Sequence, residues 1–377
     1  MAVETQTVAA EATTTSTSSS VSRSRLACAI PTDAAINRAT ATTTTLARSP
    51  KTLLQHQQYQ QLQEQQQQQH QPPLPTGLSL ISVPRLAWEF TRSNFNTFVV
   101  PNTAFGVLGA LVPAFTADAR PPTVREVLLR LPVILAFNWW NVLVFDLGNQ
   151  RAPESVTEDK LNKPWRPIPT GKVTPTQARR ALLALIPVSM CLNYALGVWD
   201  QAVLIPILSY LYNDLGGGDE VLRDPIISGA YAVANTASLR IAIGGVGSAG
   251  DVTPEALRWV AMVSGVILTT MQVQDLKDKA GDRTRGRRTI ALLVGDGFSR
   301  GCVALFVGFW SLVCTHFWGL GPLVFALVPG GCGLNVIRRV LLKRTPREDS
   351  KTWKWWCLWT VTLYSLPVWA MLVGSRA

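Results

Sequence analysis

The amino-acid sequence predicts an all-α membrane protein with about nine transmembrane helices. Apolar residues make up 47% of the 377 residues, and after residue 80 they come in blocks of about twenty, the length that spans a bilayer as a helix. Basic residues collect in alternate connections between these blocks, as expected of a multi-pass protein. The first eighty residues have neither feature, so they are predicted to lie outside the folded domain.

Residues 1–80 are predicted to form a disordered cytosolic tail, and residues 81–377 a transmembrane catalytic domain. The tail is rich in Thr and Ser and contains the run QHQQYQQLQEQQQQQHQPPLP, which offers almost no large apolar side chains for a core. Its Ser, Thr and Arg content also suits a transit peptide. Glu4, Glu11 and Asp33 argue against that alternative, because transit peptides are poor in acids.

Nine windows of the domain have the apolar length expected of a membrane span. They lie near residues 95–115, 126–148, 177–198, 201–213, 226–244, 256–275, 301–319, 321–340 and 353–374. The fourth window is short, and the second contains Asn138, Asn141 and Asp146, which make it less apolar than the others.

The loops between these windows differ in positive charge. Loops after the second, sixth and eighth windows are rich in Lys and Arg, for example RTRGRR at 283–288, whereas those after the third and seventh contain neither. Because Lys and Arg favour the cytosolic side, we expect the charged loops and the N-terminus to face the cytosol. The expected location is the endoplasmic reticulum membrane.

Composition argues against two other kinds of site. The net charge of +11 comes from residues between apolar blocks, which form no single basic stripe with interleaved aromatics, so no nucleic-acid partner is predicted. The six cysteines include no CxxC pair and the three histidines are isolated. Neither a zinc site nor a disulfide framework is therefore indicated.

Three aspartates follow the sixth apolar window in QVQDLKDKAGDRTRGRRT, residues 272–289. On one regular helix, Asp275, Asp278 and Asp282 would fall within a sector of about 60° and point at one place. Mg²⁺ suits such a face, because it binds one or two carboxylates together with phosphate oxygens. The alternative is a solvated juxtamembrane surface on which the acids pair with neighbouring Lys and Arg.

A second polar segment leaves the membrane on the same predicted side, at the end of the second window. Asp146, Asn149 and Gln150 put three oxygen-bearing side chains within about one turn of a helix end. Lys163 and Arg166 follow in NKPWRPIP, whose prolines favour a rigid extended connection that can hold both cations toward an anion. With the two segments on one side of the membrane, two sites that face each other become conceivable.

These segments resemble the motifs of the UbiA superfamily of intramembrane prenyltransferases. DLKDKAGDRTRGRRTIALLVG is similar to the second aspartate-rich motif, with acids at the first, fourth and eighth positions before a basic cluster and a Thr. NKPWRPIPTGKVT resembles the loop after the first motif. The order of the motifs and their separation by four helices agree. The resemblance covers about residue 85 to the C-terminus and implies nine helices around a central cavity.

The resemblance also implies roles for particular residues. It implies that Asp146, Asp275, Asp278 and Asp282 are catalytic and bind Mg²⁺, and through it a prenyl diphosphate. The residues implied to bind the substrate diphosphate are Asn149, Gln150, Lys163, Arg166, Arg283 and Arg287. Metal ions and fixed cations suit this chemistry, because the leaving diphosphate develops negative charge in a site that excludes water.

The first motif departs from the family pattern. No Asn stands four residues before Asp146, and Gln150 occupies the place of a second Asp. Asn149 and Gln150 can still offer neutral oxygens to a metal, or hold diphosphate by hydrogen bonds. This pattern resembles the fungal UbiA-type terpene cyclases more than the aromatic prenyltransferases. It implies a Mg²⁺-dependent cyclase of secondary metabolism, with farnesyl diphosphate as the favoured substrate; the alternative is transfer of the prenyl group to an aromatic acceptor.

Two other functional classes stay open at this stage. A transporter also has acids at helix ends, but usually shows an internal repeat, and none is visible beyond the two polar segments. An assembly factor that has lost catalysis is compatible with the altered first motif.

Aromatic residues of the spans are a further candidate feature of the cavity. The residues in question are Trp139, Trp140, Tyr210, Tyr212 and Tyr231. Facing the cavity, they would stabilise carbocations through their π faces. The alternative is contact with lipid or with neighbouring helices, which is the ordinary role of aromatics in membrane spans.

Overall fold

The computed structural model describes residues 82–375, in which every regular element is helical. One isolated β-bridge in this part joins Thr116 and Val252 in two loops. The predicted all-α class is confirmed. The predicted tail lies outside the described residues, and the division of the chain at residue 80 stays a prediction.

Fifteen α-helices make up most of the described part. They are α1 Val83–Asn94, α2 Val100–Ala110, α3 Val124–Gln150, α4 Pro153–Asn162, α5 Pro175–Ala195, α6 Trp199–Asn213, α7 Arg223–Gly244, α8 Pro254–Thr270, α9 Lys279–Arg285, α10 Ile290–Leu293, α11 Asp296–Phe317, α12 Pro322–Phe325, α13 Gly331–Leu342, α14 Pro346–Tyr364 and α15 Leu366–Val373. Short π-helical turns at Phe95–Val99 and Ala326–Gly330 and 3₁₀ turns at Pro113–Phe115, Gly217–Asp219 and Met271–Lys277 connect some of them.

Six helical segments of the described part are long and apolar enough to cross a membrane. They are Val124–Gln150, Arg223–Gly244, Pro254–Lys277, Asp296–Phe317, Pro322–Leu342 and Pro346–Val373. Large apolar side chains such as Leu323 and Leu327 remain 71% and 75% exposed on their surface, which suits contact with lipid. The protein is an integral, multi-pass membrane protein. The other three predicted windows also lie on helices, and the count of nine spans stays a prediction.

Local sequence signals explain where several helices begin. Thr123 and Thr174 each accept a hydrogen bond from the main-chain N–H three residues later, and Glu126 and Gln177 bond back to the capping residue. These reciprocal bonds satisfy amide groups that a helix N-terminus otherwise leaves unpaired. Pro175 follows its cap directly, in the first helical turn, where proline loses no hydrogen bond.

The break after α8 corrects one expectation. The three aspartates do not share one regular helix, because Asp275 lies in the 3₁₀ turn, Asp278 at the break, and Asp282 in α9. Tertiary hydrogen bonds fix this break: the Asn162 amide donates to the Asp278 carbonyl oxygen at 3.2 Å, and Ser299 donates to the Gln272 side chain at 2.8 Å. These tertiary contacts cannot be predicted from helical periodicity alone.

A buried ion pair ties the break to the C-terminal helices. Arg300, near the start of α11, donates to both carboxylate oxygens of Asp349 on α14 at 2.8 and 2.7 Å. It also donates to the Val340 carbonyl oxygen of α13 at 2.9 Å and to Asp296 at 2.8 Å. The side chains of Arg300 and Asp349 are 0% and 1% exposed. One guanidinium therefore joins three helices beside the second aspartate segment.

We predict that Asp349→Ala lowers the free energy of unfolding by about 3 kcal/mol, because it leaves buried Arg300 without its bidentate partner. Asp251→Ala is the matched control: Asp251 pairs with Arg240 at 3.8 Å but is 81% exposed, and its loss should cost about 0–1 kcal/mol. Thermal unfolding of both variants in detergent measures the difference. Equal melting temperatures would contradict this account of the helix junction.

Candidate active site

A cavity of about 810 Å³ opens among the helices. One part of its lining is charged and comes from α4 and the loop after it, the start of α7, the 3₁₀ turn, α9 and the first turns of α14. The other part is apolar and includes Phe98, Phe137, Phe145, Tyr212 and Tyr231. This is a typical size for a ligand site, and it suits a ligand with one anionic end and one hydrocarbon end.

The structure brings all three aspartates of the second segment to this cavity. Asp275 accepts a hydrogen bond from Arg223 Nη1 at 3.0 Å, and Nη2 of the same guanidinium forms an ion pair with its other carboxylate oxygen at 2.8 Å. Asp278 forms an ion pair with the adjacent Lys277. Asp282 accepts from Arg287 at 3.1 Å through Oδ1, and its buried Oδ2 has no hydrogen-bond partner among residues 82–375. The carboxylates therefore converge despite the broken helix.

The surroundings affect the protonation of these groups in opposite directions. Burial acts to raise the pKa of Asp278, but Lys277 and Lys163 outweigh it and lower that pKa to about 2. Burial raises the pKa of Asp282, and Arg287 only partly opposes this. Asp278 is thus held ionised beside a lysine pair, whereas Asp282 lacks enough nearby positive charge to be fully stabilised as an anion.

The loop after α4 supplies two cations to the same cavity. Arg166 is buried and donates from Nη1 to both carboxylate oxygens of Asp159 at 2.9 and 2.8 Å. Lys163 has no carboxylate within ion-pair distance in the described part of the chain. Burial, followed by the charge of Arg166, lowers the pKa of the Lys163 ammonium. An anion that binds here would provide the Lys163 ammonium with a partner of opposite charge.

A charge network joins the two polar segments. Glu158 of α4 accepts hydrogen bonds from Arg285 at 3.3 Å and from Arg287 at 3.1 Å. Asp219 of the Gly217–Asp219 turn accepts from the same two arginines, at 3.1 Å from Arg285 Nη2 and 3.0 Å from Arg287 Nε. Since Arg287 also bonds Asp282, the position of this carboxylate depends on a residue 124 positions earlier in the chain.

Gly281 permits the close approach of α4 and α9. A Cβ atom at this position would lie 2.2 Å from the Asn162 Nδ2 and 2.6 Å from its Cγ. The same Asn162 amide holds the carbonyl oxygen of Asp278. A residue with a side chain at 281 would therefore displace the contact that fixes the break between Asp278 and α9.

The end of α3 differs from the expected arrangement. Asn141, Phe145 and Asn149, spaced by four, line the cavity here together with Val142, whereas Asp146 and Gln150 do not. Asp146 accepts from the Asn94 amide at 2.7 Å, and its Oδ2 has no partner in the described part. Gln150 donates to the Phe90 carbonyl oxygen at 2.9 Å. Their proposed roles stay predictions.

Other expected residues divide between the cavity and the surface. Arg287 lines the cavity, whereas Arg283 is exposed and does not. Of the five aromatics, Tyr212 and Tyr231 line it, while Tyr210 is 54% exposed. Trp139 and Trp140 are absent from the lining, and the Trp139 indole donates to Thr91 at 2.8 Å.

Sequence reasoning missed three charged residues of the site: Glu158 as a partner of the arginines, Asp219 and Arg223. Glu158 lies in the short polar helix α4 and Asp219 in a polar turn, and both segments look like solvated connections in the sequence. Arg223 stands just before the fifth apolar window, in VLRDP. An arginine at the end of a membrane span is commonly interpreted as a signal for the orientation of the span in the membrane. The acidic residues of these polar segments were the available signal for the pairing, because buried arginines need acidic partners.

The donor set at the charged end fits Mg²⁺. Among residues 82–375 no three His, Cys, Asp or Glu side chains are grouped closely enough to enclose a metal by themselves. Mg²⁺ does not need such a group, because it keeps waters and binds one or two carboxylates together with phosphate oxygens. The unpartnered Oδ2 of Asp282 and the ionised Asp278 offer those ligands from the cavity wall.

Comparison with known proteins agrees with this geometry. Residues 106–358 match the UbiA prenyltransferase family. The chain is 31% identical to somaliensene A/B synthase of Streptomyces somaliensis over 74% of this chain and 93% of that protein. It is 28% identical to the diterpene cyclase eriG of Hericium erinaceus, over 70% of this chain and 81% of that one. A solved structure of digeranylgeranylglyceryl phosphate synthase has a TM-score of 0.50 at 16% identity, covering 77% of this chain and 99% of that chain.

The chain therefore belongs to the UbiA prenyltransferase family. It is a membrane enzyme that acts on a prenyl diphosphate, as the resemblance of its two polar segments implied. The transporter and the inactive assembly factor receive no support from these relatives.

We predict that Gly281→Ala lowers the rate of pyrophosphate release by about tenfold or more, because the new methyl group turns Asn162 away from Asp278 and small displacements of catalytic groups are costly. Gly297→Ala is the matched control, since a Cβ there meets nothing within 4 Å; its rate should stay within about twofold of wild type. A coupled pyrophosphate assay measures both. Equal rates for the two variants would refute a role for the close approach of α4 and α9.

Proposed function

We propose that the protein is a Mg²⁺-dependent terpene cyclase that ionises farnesyl diphosphate and cyclises it to a terpene hydrocarbon. The observation that carries this proposal is the division of one cavity into a charged end, where both polar segments meet, and an apolar wall rich in aromatics. The names of the two relatives described above, a synthase and a diterpene cyclase, support cyclisation. The second name makes geranylgeranyl diphosphate the next substrate to test.

The charged end supports ionisation of the substrate. Breaking the C1–O bond leaves its electron pair on diphosphate, and Mg²⁺ held by Asp278 and Asp282 would neutralise part of that charge. Lys163, Arg166 and Arg287 line the same end and would bind the diphosphate oxygens. Lys163 is best suited, because it has no carboxylate partner of its own among the described residues. Asp159 and Glu158 orient the two arginines.

The apolar wall supports cyclisation after ionisation. Phe98 and Tyr231 pack edge to face with ring centroids 4.7 Å apart, and Phe145 and Tyr212 do so at 5.3 Å. The Tyr231 hydroxyl donates to the Thr97 carbonyl oxygen at 2.6 Å, which fixes its ring. Aromatic faces stabilise carbocations without adding to them. The alkenes of the prenyl substrate can therefore attack its own allylic cation to close a ring. The released diphosphate would then act as the base that takes the final proton.

We also propose that the N-terminus and the charged loops face the cytosol from the endoplasmic reticulum membrane. The support is the concentration of Lys and Arg in the loops that surround the charged end of the cavity. A cytosolic mouth would receive prenyl diphosphates, whose charge prevents their crossing a bilayer.

We predict that the purified full-length protein, given farnesyl diphosphate and Mg²⁺ without an acceptor, releases pyrophosphate and one or more sesquiterpene hydrocarbons. Gas chromatography with mass spectrometry identifies the products. Chelation of divalent metal, or Asp278→Asn, should lower the rate by about 100-fold, because each weakens stabilisation of the leaving group. Asp251→Asn, at an exposed position, is the matched control.

A different result would assign the chain to the alternative activity. A prenylated aromatic that forms only when 4-hydroxybenzoate is supplied, with no acceptor-free hydrocarbon from farnesyl or geranylgeranyl diphosphate, would refute the cyclase. Full turnover by Asp278→Asn would refute the metal site.

A further inference from the structure

One side chain of the cavity wall has an unusual hydrogen-bonding state. Asn138 lies on α3, lines the cavity and is 1% exposed. It stands eleven positions before Asn149, which places it about 16 Å further along the helix axis at about 1.5 Å per residue. A substrate with its diphosphate between α4 and α9 would direct its hydrocarbon chain toward this level of the cavity.

The Asn138 amide is held in one orientation. Its Nδ2 lies 2.9 Å from Ser238 Oγ on α7, 3.2 Å from Thr103 Oγ1 on α2, and 3.1 Å from the Ile134 carbonyl oxygen. The carbonyl oxygen of Ile134 can only accept a hydrogen bond, so a rotated amide would set two oxygens against each other. Three helices therefore fix the nitrogen, and the position of Oδ1 follows from it.

The Asn138 oxygen lacks a hydrogen-bond donor. Oδ1 is buried and has no partner in residues 82–375. The neighbouring cavity residue Asn141 differs, because its Oδ1 accepts from Ser189 and from Asn193, each at 3.1 Å. Burying an acceptor without a hydrogen-bond donor is energetically unfavourable. Because Oδ1 is almost inaccessible, a positive charge in the adjoining cavity would lower this cost through its attraction to the C=O dipole and not by direct contact.

We propose that the Asn138 amide oxygen stabilises the carbocation that reaches this level of the cavity and thereby determines which cyclic product forms. The neutral prenyl chain has no donor for this oxygen, whereas the cation interacts favourably with the negative end of the fixed C=O dipole. The interaction therefore favours the intermediate over the bound substrate, which is the condition for it to direct the reaction. This inference rests on the proposed cyclase function.

The test compares Asn138→Leu with two other variants of the full-length protein in detergent. Asn138→Leu removes the oxygen at similar volume. Asn138→Asp, protonated in this buried position, keeps an oxygen in place and can still donate to the Ile134 carbonyl oxygen. Asn141→Leu is the matched control, because it makes the same chemical change where the oxygen is already satisfied. Pyrophosphate release and product ratios from farnesyl diphosphate are measured separately.

We expect Asn138→Leu to release pyrophosphate at a rate within about threefold of wild type. The share of incompletely cyclised products, which lack the last ring, should rise about fivefold. Asn138→Asp should return the ratios toward wild type, and Asn141→Leu should not reproduce the shift. Unchanged ratios in Asn138→Leu would overturn the inference, as would the same shift in Asn141→Leu. If the wild-type protein makes no acceptor-free terpene, the proposed function fails and the inference falls with it.

Discussion

The site depends on the pairing of two arginines, Arg285 at the end of α9 and Arg287 just after it, with acids that come from elsewhere in the chain. Arg285 and Arg287 are each held by Glu158 of α4 and by Asp219 of the turn before α7. Buried arginines are stable only when such partners are present, since an unpaired buried charge is very costly. This pairing brings the second aspartate segment against the loop that carries Lys163 and Arg166. The charged end of the cavity exists because these separate segments neutralise one another.

The remaining structure supports this junction in two ways. Gly281 lets α4 approach α9 until Asn162 reaches the Asp278 carbonyl oxygen. Arg300 joins α11, α13 and α14 directly behind the same break. Polar groups held this firmly need little reorganisation when charge develops on a leaving diphosphate, which is how preorganised sites lower a barrier. In the proposed reaction the apolar wall has a different task, because there the protein would surround a carbocation without reacting with it.

Much of this arrangement could be predicted from the sequence. Apolar windows and basic loops indicated a helical membrane protein, and Asp275, Asp278, Asp282, Lys163, Arg166 and Arg287 all line one cavity as expected. The geometry of the second segment could not be predicted, because its break depends on contacts from Asn162 and Ser299.

Helical spacing also could not show which face of α3 lines the cavity. Asn149 lies on the lining face, while Asp146 and Gln150 form hydrogen bonds with Asn94 and Phe90. The partner acids of the arginines lie in a short polar helix and a polar turn, neither of which falls in an apolar window.

The central claim is that Glu158 orients Arg287, the arginine of this pair that lines the cavity and is proposed to bind the diphosphate. The value of kcat/KM for farnesyl diphosphate in Glu158→Gln tests this claim most directly. Glu154→Gln, on the same helix but exposed, is the matched control. The account predicts that Glu158→Gln lowers kcat/KM by about tenfold or more, because Arg287 loses its orientation. Glu154→Gln should remain within about twofold of wild type. Wild-type kcat/KM in Glu158→Gln, with its fold intact, would contradict the account.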